Sequence, residues 1–376
     1  MAFFEINDSF ALQAKHYNLR TTVALEKNAI LFLYMRDSKI IFSATRFYSP
    51  DVDDAQKKQL ALKIHDYYKR EIAKLFYYIK KMRQNAIQDA RVDILARGFL
   101  KYGMAHEAIA LLAPLVKRFE QFSNARFTLG KAYLELQDYQ NARAHFVQLL
   151  NGQRINADTC FYIGLCDFQL RHCAGAFKAF AKAIEFNRNF GEAYFYLGLT
   201  LLLNYILDQQ SDLTENLAER VNRIFLNAVS ALPTLKVSEM QQGMKLIDDE
   251  LFQDAYDCLA PLVKIVENRL QADVMNYEFH LTVLWEPTKV NPAKAWKEIQ
   301  RLQRLVPRYP DEPSLHYELG FAYTVLGLGV STSSLEHLQK AVSLNPDYRA
   351  ALQGVRLIQN DQKNYQAMLR ALVKAY

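Results

Sequence analysis

Three stretches of the chain share one pattern, and that pattern decides the fold. Residues 127–134 read FTLGKAYL, residues 161–168 read FYIGLCDF, and residues 195–202 read FYLGLTLL. Each stretch begins with phenylalanine and has an aliphatic residue before a glycine, and successive stretches are 34 residues apart. A period of 34 residues is far longer than one helical turn, so it predicts a repeated unit of structure.

The match extends beyond these stretches. Alanine follows the first two glycines after twelve residues and phenylalanine after sixteen, which gives Ala142, Ala176, Phe146 and Phe180. Small residues at fixed offsets let two helices approach closely, and the large residues fill the space around them. This 34-residue unit resembles the tetratricopeptide repeat, a helix-turn-helix whose copies stack into a right-handed superhelix. The resemblance implies a mainly all-α fold.

The register of the repeat divides the chain into three expected regions. Units begin near Asp89, Ser123, Ala157 and Gly191, then near Lys236, Asn276 and Pro313, and a capping helix pair begins near Arg349. The fourth unit needs about eleven extra residues, which places an insertion at about 204–216. We therefore expect an N-terminal module at 1–88, repeats one to four at 89–235, and repeats five to seven with the cap at 236–376.

One hexapeptide occurs twice in this register. LAPLVK stands at residues 112–117 and again at residues 259–264, each time in the predicted second helix of a unit. Proline lacks the N–H group that a helix interior uses, and its ring crowds the preceding turn. We expect Pro114 and Pro261 to kink the helices that contain them.

The first 88 residues do not fit the repeat. Two mainly apolar runs, residues 29–35 and 39–44, flank a polar segment and predict either a short β-hairpin or two short buried helices. Residues 51–97 contain neither glycine nor proline, and their apolar residues recur at helical spacing. They predict one long amphipathic helix or two abutting helices, starting near Ser49-Pro50-Asp51.

Positive charge is concentrated in this predicted helix. Between residues 57 and 83, nine basic residues stand against two acidic ones, a balance of +7, whereas the whole chain has a net charge of +6. The nine are Lys57, Lys58, Lys63, Lys69, Arg70, Lys74, Lys80, Lys81 and Arg83. They predict either an ordinary solvated face or a docking strip for an acidic protein or an anionic membrane surface. Nucleic acid is the weakest alternative because no recognition motif accompanies the charge.

Composition excludes several other classes of protein. Apolar residues make up 51% of the 376 residues, so the chain has enough apolar material for a core. Thirteen glycines and ten prolines are too few for the turns of a large all-β protein. The four cysteines form no CxxC pair, which is typical of a reducing compartment. Because we find no secretory signal and no bilayer-length apolar run, a cytoplasmic protein is the default expectation.

No catalytic pattern is recognisable in the chain. It lacks a GxxxxGK[ST] phosphate loop, an HExxH zinc motif and a GxSxG nucleophile motif. Cys160, Cys166, His172 and Cys173 are metal-ligand types, but their repeat positions spread them over a helix and a turn. The acidic residues within 248–257 lack the spacing of a calcium-binding loop. We therefore expect no metal, no cofactor and no enzymatic activity.

The resemblance also implies where a partner would bind. In tetratricopeptide proteins, positions 2, 5, 9, 12 and 13 of the first helix of each unit line the concave surface. Transferred to this chain, these positions predict a largely apolar groove formed by Phe127, Lys131, Leu134, Phe161, Leu165, Phe168, Phe195, Leu199, Leu202, Met240, Met244, Tyr317 and Phe321. Such a groove favours an apolar peptide or an amphipathic helix over the carboxylate tail that some family members clamp with basic residues.

The sequence thus predicts a non-enzymatic scaffold or escort protein that binds one or more proteins through this groove. The insertion or the N-terminal module could instead fill the groove within the molecule, or its residues could simply be core. A further alternative is a structural subunit of a larger assembly, either membrane-associated or not, contacted through the convex surfaces and ends of the array. The sequence leaves the oligomeric state open.

Overall fold

A computed structural model describes residues 2–12, 15–84, 91–119, 122–151, 156–207, 216–270, 275–286, 290–307, 310, 313–328 and 332–360. The chain divides into two compact units, residues 1–112 and 113–376. It is mainly helical, with an antiparallel sheet near its start, which confirms the fold class predicted from the sequence. The division into three regions at residues 88 and 235 stays a prediction.

The N-terminal unit starts with a four-stranded antiparallel meander. Its strands, in spatial order, are β1 Ala2–Leu12, β2 Lys15–Ala24, β3 Ala29–Arg36 and β4 Lys39–Phe47. Asp37 and Ser38 join β3 to β4 with φ angles of 47° and 66°, which suit a two-residue hairpin turn. The hairpin at residues 29–44 is confirmed and the two-helix alternative is wrong. Strands β1 and β2 were not predicted from the sequence.

Helix α1, Asp54–Gln84, packs against this sheet. Alternate residues of β2 are buried, as the two-residue period of a strand requires, and α1 contributes Ala61, Ile72 and Leu75 to the core. The Asp53 carboxylate accepts a hydrogen bond from the backbone N–H of Gln56 at 2.7 Å and so caps the helix. The predicted helical stretch forms α1 and then α2, and residues 85–90 between them lie outside the described part.

Helix α2, Arg91–Lys101, and the first half of α3, Ala105–Arg118, belong to the same unit as the sheet. The Arg36 guanidinium donates to both carboxylate oxygens of Glu107 at 3.0 and 3.1 Å, and the Tyr17 hydroxyl donates to the same carboxylate at 3.2 Å. These bonds attach the start of α3 to β2 and β3. The residues of the first predicted repeat therefore pack with the N-terminal sheet.

The second unit continues as consecutive helices. They are α4 Ser123–Glu135, α5 Tyr139–Asn151, α6 Ala157–Gln169, α7 Cys173–Phe186, α8 Gly191–Ile206, α9 Leu217–Ala231, α10 Ser238–Asp248, α11 Phe252–Leu259, α12 Val263–Leu270, α13 Tyr277–Trp285, α14 Pro292–Gln303, α15 Pro313–Tyr323, α16 Thr332–Leu344 and α17 Arg349–Asn360. The second helix of the predicted cap and most of the insertion lie outside the described residues. Across the described ranges, each helix is too short or too polar to cross a bilayer.

The first helix of four predicted units ends in the same way. The residue fourteen places after the unit start, Gly103, Gln137, Arg171 or Glu250, is left-handed with φ between 57° and 67°. The following N–H donates to the carbonyl group five residues earlier, as in a Schellman motif. Gly103 is glycine because a Cβ there would overlap the carbonyl oxygen of Ile41 in β4. The shared backbone geometry supports the predicted register.

Paired helices approach closely where the sequence predicts it. Each glycine of the repeated stretches lies against a phenylalanine of the second helix: Gly130 on Phe146, Gly164 on Phe180 and Gly198 on Phe225. A Cβ added to these glycines would lie 2.6 to 2.7 Å from the ring carbons, closer than van der Waals contact allows. The ring thus occupies the space that a side chain would take.

The two copies of LAPLVK differ in backbone structure. Pro114 lies inside α3, which is assigned as α-helix from Ala105 to Arg118. Around Pro261 the backbone tightens into a 3₁₀ turn, Ala260–Leu262, which separates α11 from α12. The helix is thus interrupted at Pro261 and continuous through Pro114, and the kink expected at both prolines stays a prediction.

Candidate partner-binding surfaces

We call the residues predicted to line the groove the inner positions. On α4 they remain partly accessible, because Phe127, Lys131 and Leu134 are half-buried. The Phe127 ring makes edge contacts with Phe146 and Tyr162 at centroid distances of 5.4 and 5.3 Å. The Lys131 ammonium lies 5.6 Å from the centre of the Tyr162 ring. Helix α4 therefore presents side chains that are held in place but not enclosed.

Glu135 stands at the end of the same row and was not among the site residues predicted from the sequence. Its side chain is exposed. Desolvation nevertheless raises the pKa of the Glu135 carboxyl group to about 7, although the positive charge of Lys131 lowers that pKa. Glu135 occupies position 13 of the unit that starts at Ser123, one of the positions expected to line the concave surface, and that position could have identified it.

The inner positions of α6 and α8 are buried. Phe161 is fully buried among Phe180, Phe190 and Tyr196, at centroid distances of 5.6, 4.9 and 5.8 Å. All but three residues of α8 are buried, so this helix is enclosed on every side. The inner positions in this group are Phe161, Leu165, Phe168, Phe195, Leu199 and Leu202. They form one hydrophobic core with residues of α11 and α12.

The chain itself covers this part of the predicted groove. Helix α11 packs on α8, and the rings of Phe252 and Tyr205 meet edge to face at 4.8 Å. Farther along, Glu267 of α12 lies beside Tyr196, where burial and then the Glu267 charge raise the pKa of the tyrosine. Among the described residues of the second unit, residues 252–267 supply this cover, whereas residues 208–215 of the predicted insertion lie outside the described part.

The later inner positions are also mostly enclosed. Met240, Tyr317 and Phe321 are buried and Met244 is half-buried. Phe321 stacks on the buried His280 ring at 4.3 Å, and His280 is hydrogen-bonded to Glu318 at 2.6 Å. Nine of the thirteen predicted residues are thus core residues in this structure, and a partner would reach them only after a rearrangement. Their assignment to a partner stays a prediction.

The nine predicted basic residues lie on α1 in different environments. Lys57 pairs with Asp54 at 3.0 Å, and Lys69 pairs with Asp8 at 2.6 Å. Six are exposed: Lys58, Lys63, Lys69, Arg70, Lys80 and Arg83. Lys74 and Lys81 are half-buried, like Lys57. The helix therefore has both structural and solvent-facing cations.

Two polar clusters bear on the chemistry of the chain. His65 is hydrogen-bonded to Thr21 at 2.9 Å and to Asp8 at 3.0 Å, an acid-histidine-hydroxyl sequence. Thr21 is fully buried, so its hydroxyl cannot meet a substrate. Burial raises the pKa of Cys160 to about 11 and that of Cys166 to about 12, which keeps both thiols protonated. Among the described residues, no three potential ligands converge on a metal position.

Several solved structures of repeat proteins are distantly similar to this chain. YrrB, described as a TPR protein with an unusual peptide-binding site, is 16% identical, with 74% of this chain and 98% of that chain covered and a TM-score of 0.34. MamA is 16% identical over 47% of this chain and 96% of its own, with a TM-score of 0.35. A tetratricopeptide repeat protein from Parabacteroides merdae is 12% identical over 72% and 99%, with a TM-score of 0.35. These similarities are too distant to transfer a site or a ligand.

No protein-family model and no curated protein sequence matches the chain. The tetratricopeptide-like features are those of the molecule itself. They are helix pairs at a 34-residue spacing, glycine against phenylalanine in three of them, and a repeated left-handed helix end.

Proposed function

We propose that this chain is a non-enzymatic scaffold or escort protein that binds an apolar peptide or an amphipathic helix of a partner on the inner positions of α4. The observation that carries the proposal is the half-buried row Phe127, Lys131 and Leu134, next to helices whose own inner positions are closed. Anchored aromatic side chains lose little conformational freedom on binding and often dominate binding energy. Lys131 and Glu135 would orient a polar end of the ligand.

The size of the accessible row favours a short ligand. Phe127 to Leu134 spans seven residues of helix, about 10 Å at 1.5 Å per residue, which is two turns of a bound helix or three residues of an extended peptide. The ligand would contact two apolar anchors and one cation. A micromolar affinity is the expectation for so small an interface.

The test is affinity capture from native extract with wild-type protein beside a Phe127→Ala, Leu134→Ala variant. A matched control is Leu226→Ala, which removes an apolar side chain that is 58% exposed on α9. A partner retained by the wild type and the control but lost by the α4 variant supports the proposal, provided that circular dichroism shows equal folding. Retention of the same partners by all three proteins overturns it.

A structural role in a larger assembly is the second candidate. Leu226 on α9 and Trp296 on α14 are 58% and 47% exposed, and both lie on the second helix of a predicted unit. In that role the chain would form a stable oligomer through these side chains. Light scattering gives the molar mass of the wild type and of a Leu226→Glu, Trp296→Glu variant. An oligomeric wild type beside a monomeric variant supports this role, and a monomeric wild type excludes self-assembly.

A further inference from the structure

The sheet of the N-terminal unit ends in two edge strands, β1 and β4. An edge strand presents backbone N–H and C=O groups to which a further strand can bind. Within the described residues of this unit, β4 pairs with β3 alone. Each residue of β4 is exposed or half-buried. Strand β4 is therefore a candidate surface for a fifth strand.

The hydrogen-bonding pattern shows which backbone groups face the open side of β4. The Tyr48 N–H donates to the Asn28 carbonyl group at 2.9 Å, and the register continues from this pair into β4 and β3. Bonded and non-bonded pairs alternate along an antiparallel ladder, so every second residue of β4 bonds to β3. The residues between them, Ser43, Thr45 and Phe47, turn their N–H and C=O groups outward.

The other end of β4 is partly closed. The pairing with β3 shifts at Ile41, which is left as a β-bulge. The Ile41 carbonyl oxygen lies against Gly103, in the turn between α2 and α3. The open side therefore begins beyond this turn, and we call residues 43–47 the β4 edge. It spans five residues, about 17 Å at 3.4 Å per residue.

The two faces of the β4 edge carry different side chains. Directly opposite residues of two strands share a face of the sheet. Ala44 and Arg46 are opposite Phe32 and Ile30, which are fully buried, so Arg46 lies on the face towards the core. The residues that alternate with them lie on the outer face, where Phe47 is 75% exposed. A fifth strand thus meets an aromatic side chain on one face and a cation on the other.

Charge distinguishes β4 from β1, the opposite edge of the sheet. The charged residues of β4 are Lys39 and Arg46, both exposed, whereas those of β1 are Glu5 and Asp8. The two acidic residues of β1 pair with basic side chains of β2 and α1. Across the described ranges, no carboxylate lies within ion-pair distance of Lys39 or Arg46.

The acidic groups around β4 are engaged elsewhere. Seven described carboxylates are bonded to other groups: Asp37 to the His16 N–H, Asp51 to the Ser49 hydroxyl, Asp53 to the Gln56 N–H, Asp54 to Lys57, Glu71 to the Tyr102 hydroxyl, Asp93 to Arg97 and Glu107 to Arg36. Burial raises the pKa of Tyr68 on α1, while Arg46 lowers it and Glu71 raises it, so both charges act on this hydroxyl. Glu71 is buried, and Arg46 remains available to a carboxylate of another molecule.

The same charges argue against a second copy of this chain as the fifth strand. Two β4 edges paired in antiparallel fashion would bring Arg46 of both copies close together, and like charges across a strand pair are destabilising. Pairing with β1 of a second copy would rely on acidic residues that are already bonded within their own unit. An acidic strand from a different protein meets neither difficulty.

We propose that the β4 edge binds an acidic, extended segment of a partner protein as a fifth strand. Its backbone bonds to the outward groups of Ser43, Thr45 and Phe47. Its apolar side chains pack beside Phe47 on the outer face, and a carboxylate pairs with Arg46 on the other face. In this mode of recognition, backbone bonds give affinity and alternate side chains give specificity. The site is separate from the inner positions of α4 and does not depend on the proposed function.

The probe is a synthetic nine-residue peptide that alternates glutamate with valine. Its binding to the full chain is measured by fluorescence anisotropy at 50 mM salt. One control peptide has the same composition with its glutamates and valines in two blocks, so the two types do not occupy opposite faces. A second control is methylated on four central amide nitrogens, which removes backbone donors and leaves the charge unchanged. The alternating peptide is expected to bind at least tenfold more tightly than either control.

Variants of the chain test the backbone and the charge separately. Thr45→Pro removes an outward N–H and no bond to β3, and proline is tolerated in this position on an edge strand. It is expected to weaken binding at least tenfold. The matched control is Ser9→Pro, at an exposed residue of β1, which is expected to change binding less than threefold. Arg46→Glu is expected to weaken binding at least tenfold and to bind a lysine-valine version of the peptide more tightly than the wild type does.

Several outcomes would overturn the proposal. They are no binding of the alternating peptide, equal binding of the methylated peptide, and equal loss in the two proline variants. Light scattering tests the second copy: a dimeric wild type beside a monomeric Thr45→Pro variant, with no peptide bound, would make this chain its own fifth strand. Circular dichroism confirms that each variant is folded.

Discussion

The inner positions of α4 and α6 are equivalent in sequence but not in structure. Phe127 and Phe161 open the same repeated stretch, 34 residues apart, and each contacts the phenylalanine of its own second helix, Phe146 or Phe180, at 5.4 or 5.6 Å. Phe127 is half-buried, whereas Phe161 is fully buried. The repeat therefore fixes how a residue packs within its pair, and the neighbours decide whether it also meets solvent.

Two differences account for this contrast. The residue that precedes the next unit differs between the two repeats. After α7 it is Phe190, whose ring centre lies 4.9 Å from that of Phe161. After α5 it is Asn156, whose side chain accepts a hydrogen bond from the Thr159 N–H and caps α6. In addition, α11 and α12 share the core of α6 and α8. A different residue before the next unit and a distant segment thus leave the equivalent position half-buried in α4 and fully buried in α6.

The largest expected difference is in stability. Phe161→Ala should lower the free energy of unfolding by about 3–5 kcal/mol, because a fully enclosed ring leaves a cavity. Phe127→Ala should lower it by about 1–2 kcal/mol, since part of that ring already meets water. Urea unfolding of both variants measures the difference. Equal losses would mean that the two positions are equally enclosed.

Substitution of the glycines should show no difference in stability loss between the two helix pairs. In Gly130→Ala and Gly164→Ala the new methyl group meets the facing ring at the same 2.7 Å. Each variant should lose about 1–3 kcal/mol through overpacking. Adding Phe180→Leu to Gly164→Ala should recover part of the loss. A large difference between the two single variants would show that the pairs are packed differently.

Thiol labelling can test directly whether equivalent inner positions differ in access to solvent. Leu134 and Leu202 occupy position 12 of their units, the first half-buried and the second fully buried. In a Cys258→Ser background, the cysteine in Leu134→Cys should react with a thiol reagent at least tenfold faster than that in Leu202→Cys, a difference of about 1.4 kcal/mol. Unaltered protein in the same background sets the baseline, since Cys160, Cys166 and Cys173 are buried. Similar rates would show that α11 leaves α8 readily.

The smallest expected effect concerns Glu135. Its folded-state pKa of about 7 is above the ordinary 4.5, so the folded chain binds this proton more tightly than the unfolded chain between those values. Stability should therefore fall as the pH rises from about 4.5 to 7, and Glu135→Gln should remove that dependence. At pH 8, Glu135→Gln should raise the free energy of unfolding by less than about 1 kcal/mol, because solvent screens an exposed carboxylate. Glu219→Gln on α9 is the comparison variant, and an equal change in both would refute the prediction.

The periodic part of the fold could be read from the sequence because its contacts are local. Gly130, Gly164 and Gly198 meet the phenylalanines sixteen or more residues later, within a single helix pair, so a fixed offset reveals the contact. The N-terminal sheet was harder to predict. In β3 nearly every residue is apolar, and a short apolar run fits a buried strand and a buried helix equally well.

The candidate site was predicted less well than the fold. Nine of the thirteen inner positions are buried, and the six on α6 and α8 share a core with residues of α11 and α12 some fifty to a hundred residues away. The repeat carries no signal for such a contact. Glu135 was missed because its environment, rather than its type, distinguishes it.

The sequence by itself determined the 34-residue unit, the glycine and phenylalanine contacts and the charge of α1. Each of these depends on residues that share one helix or one helix pair, where spacing along the chain sets the distance in space. Tertiary structure alone decided which inner positions are closed and how the two LAPLVK segments, identical in sequence, differ in backbone. Contacts between distant segments depend on how the units stack, and a hexapeptide has no information about its distant neighbours.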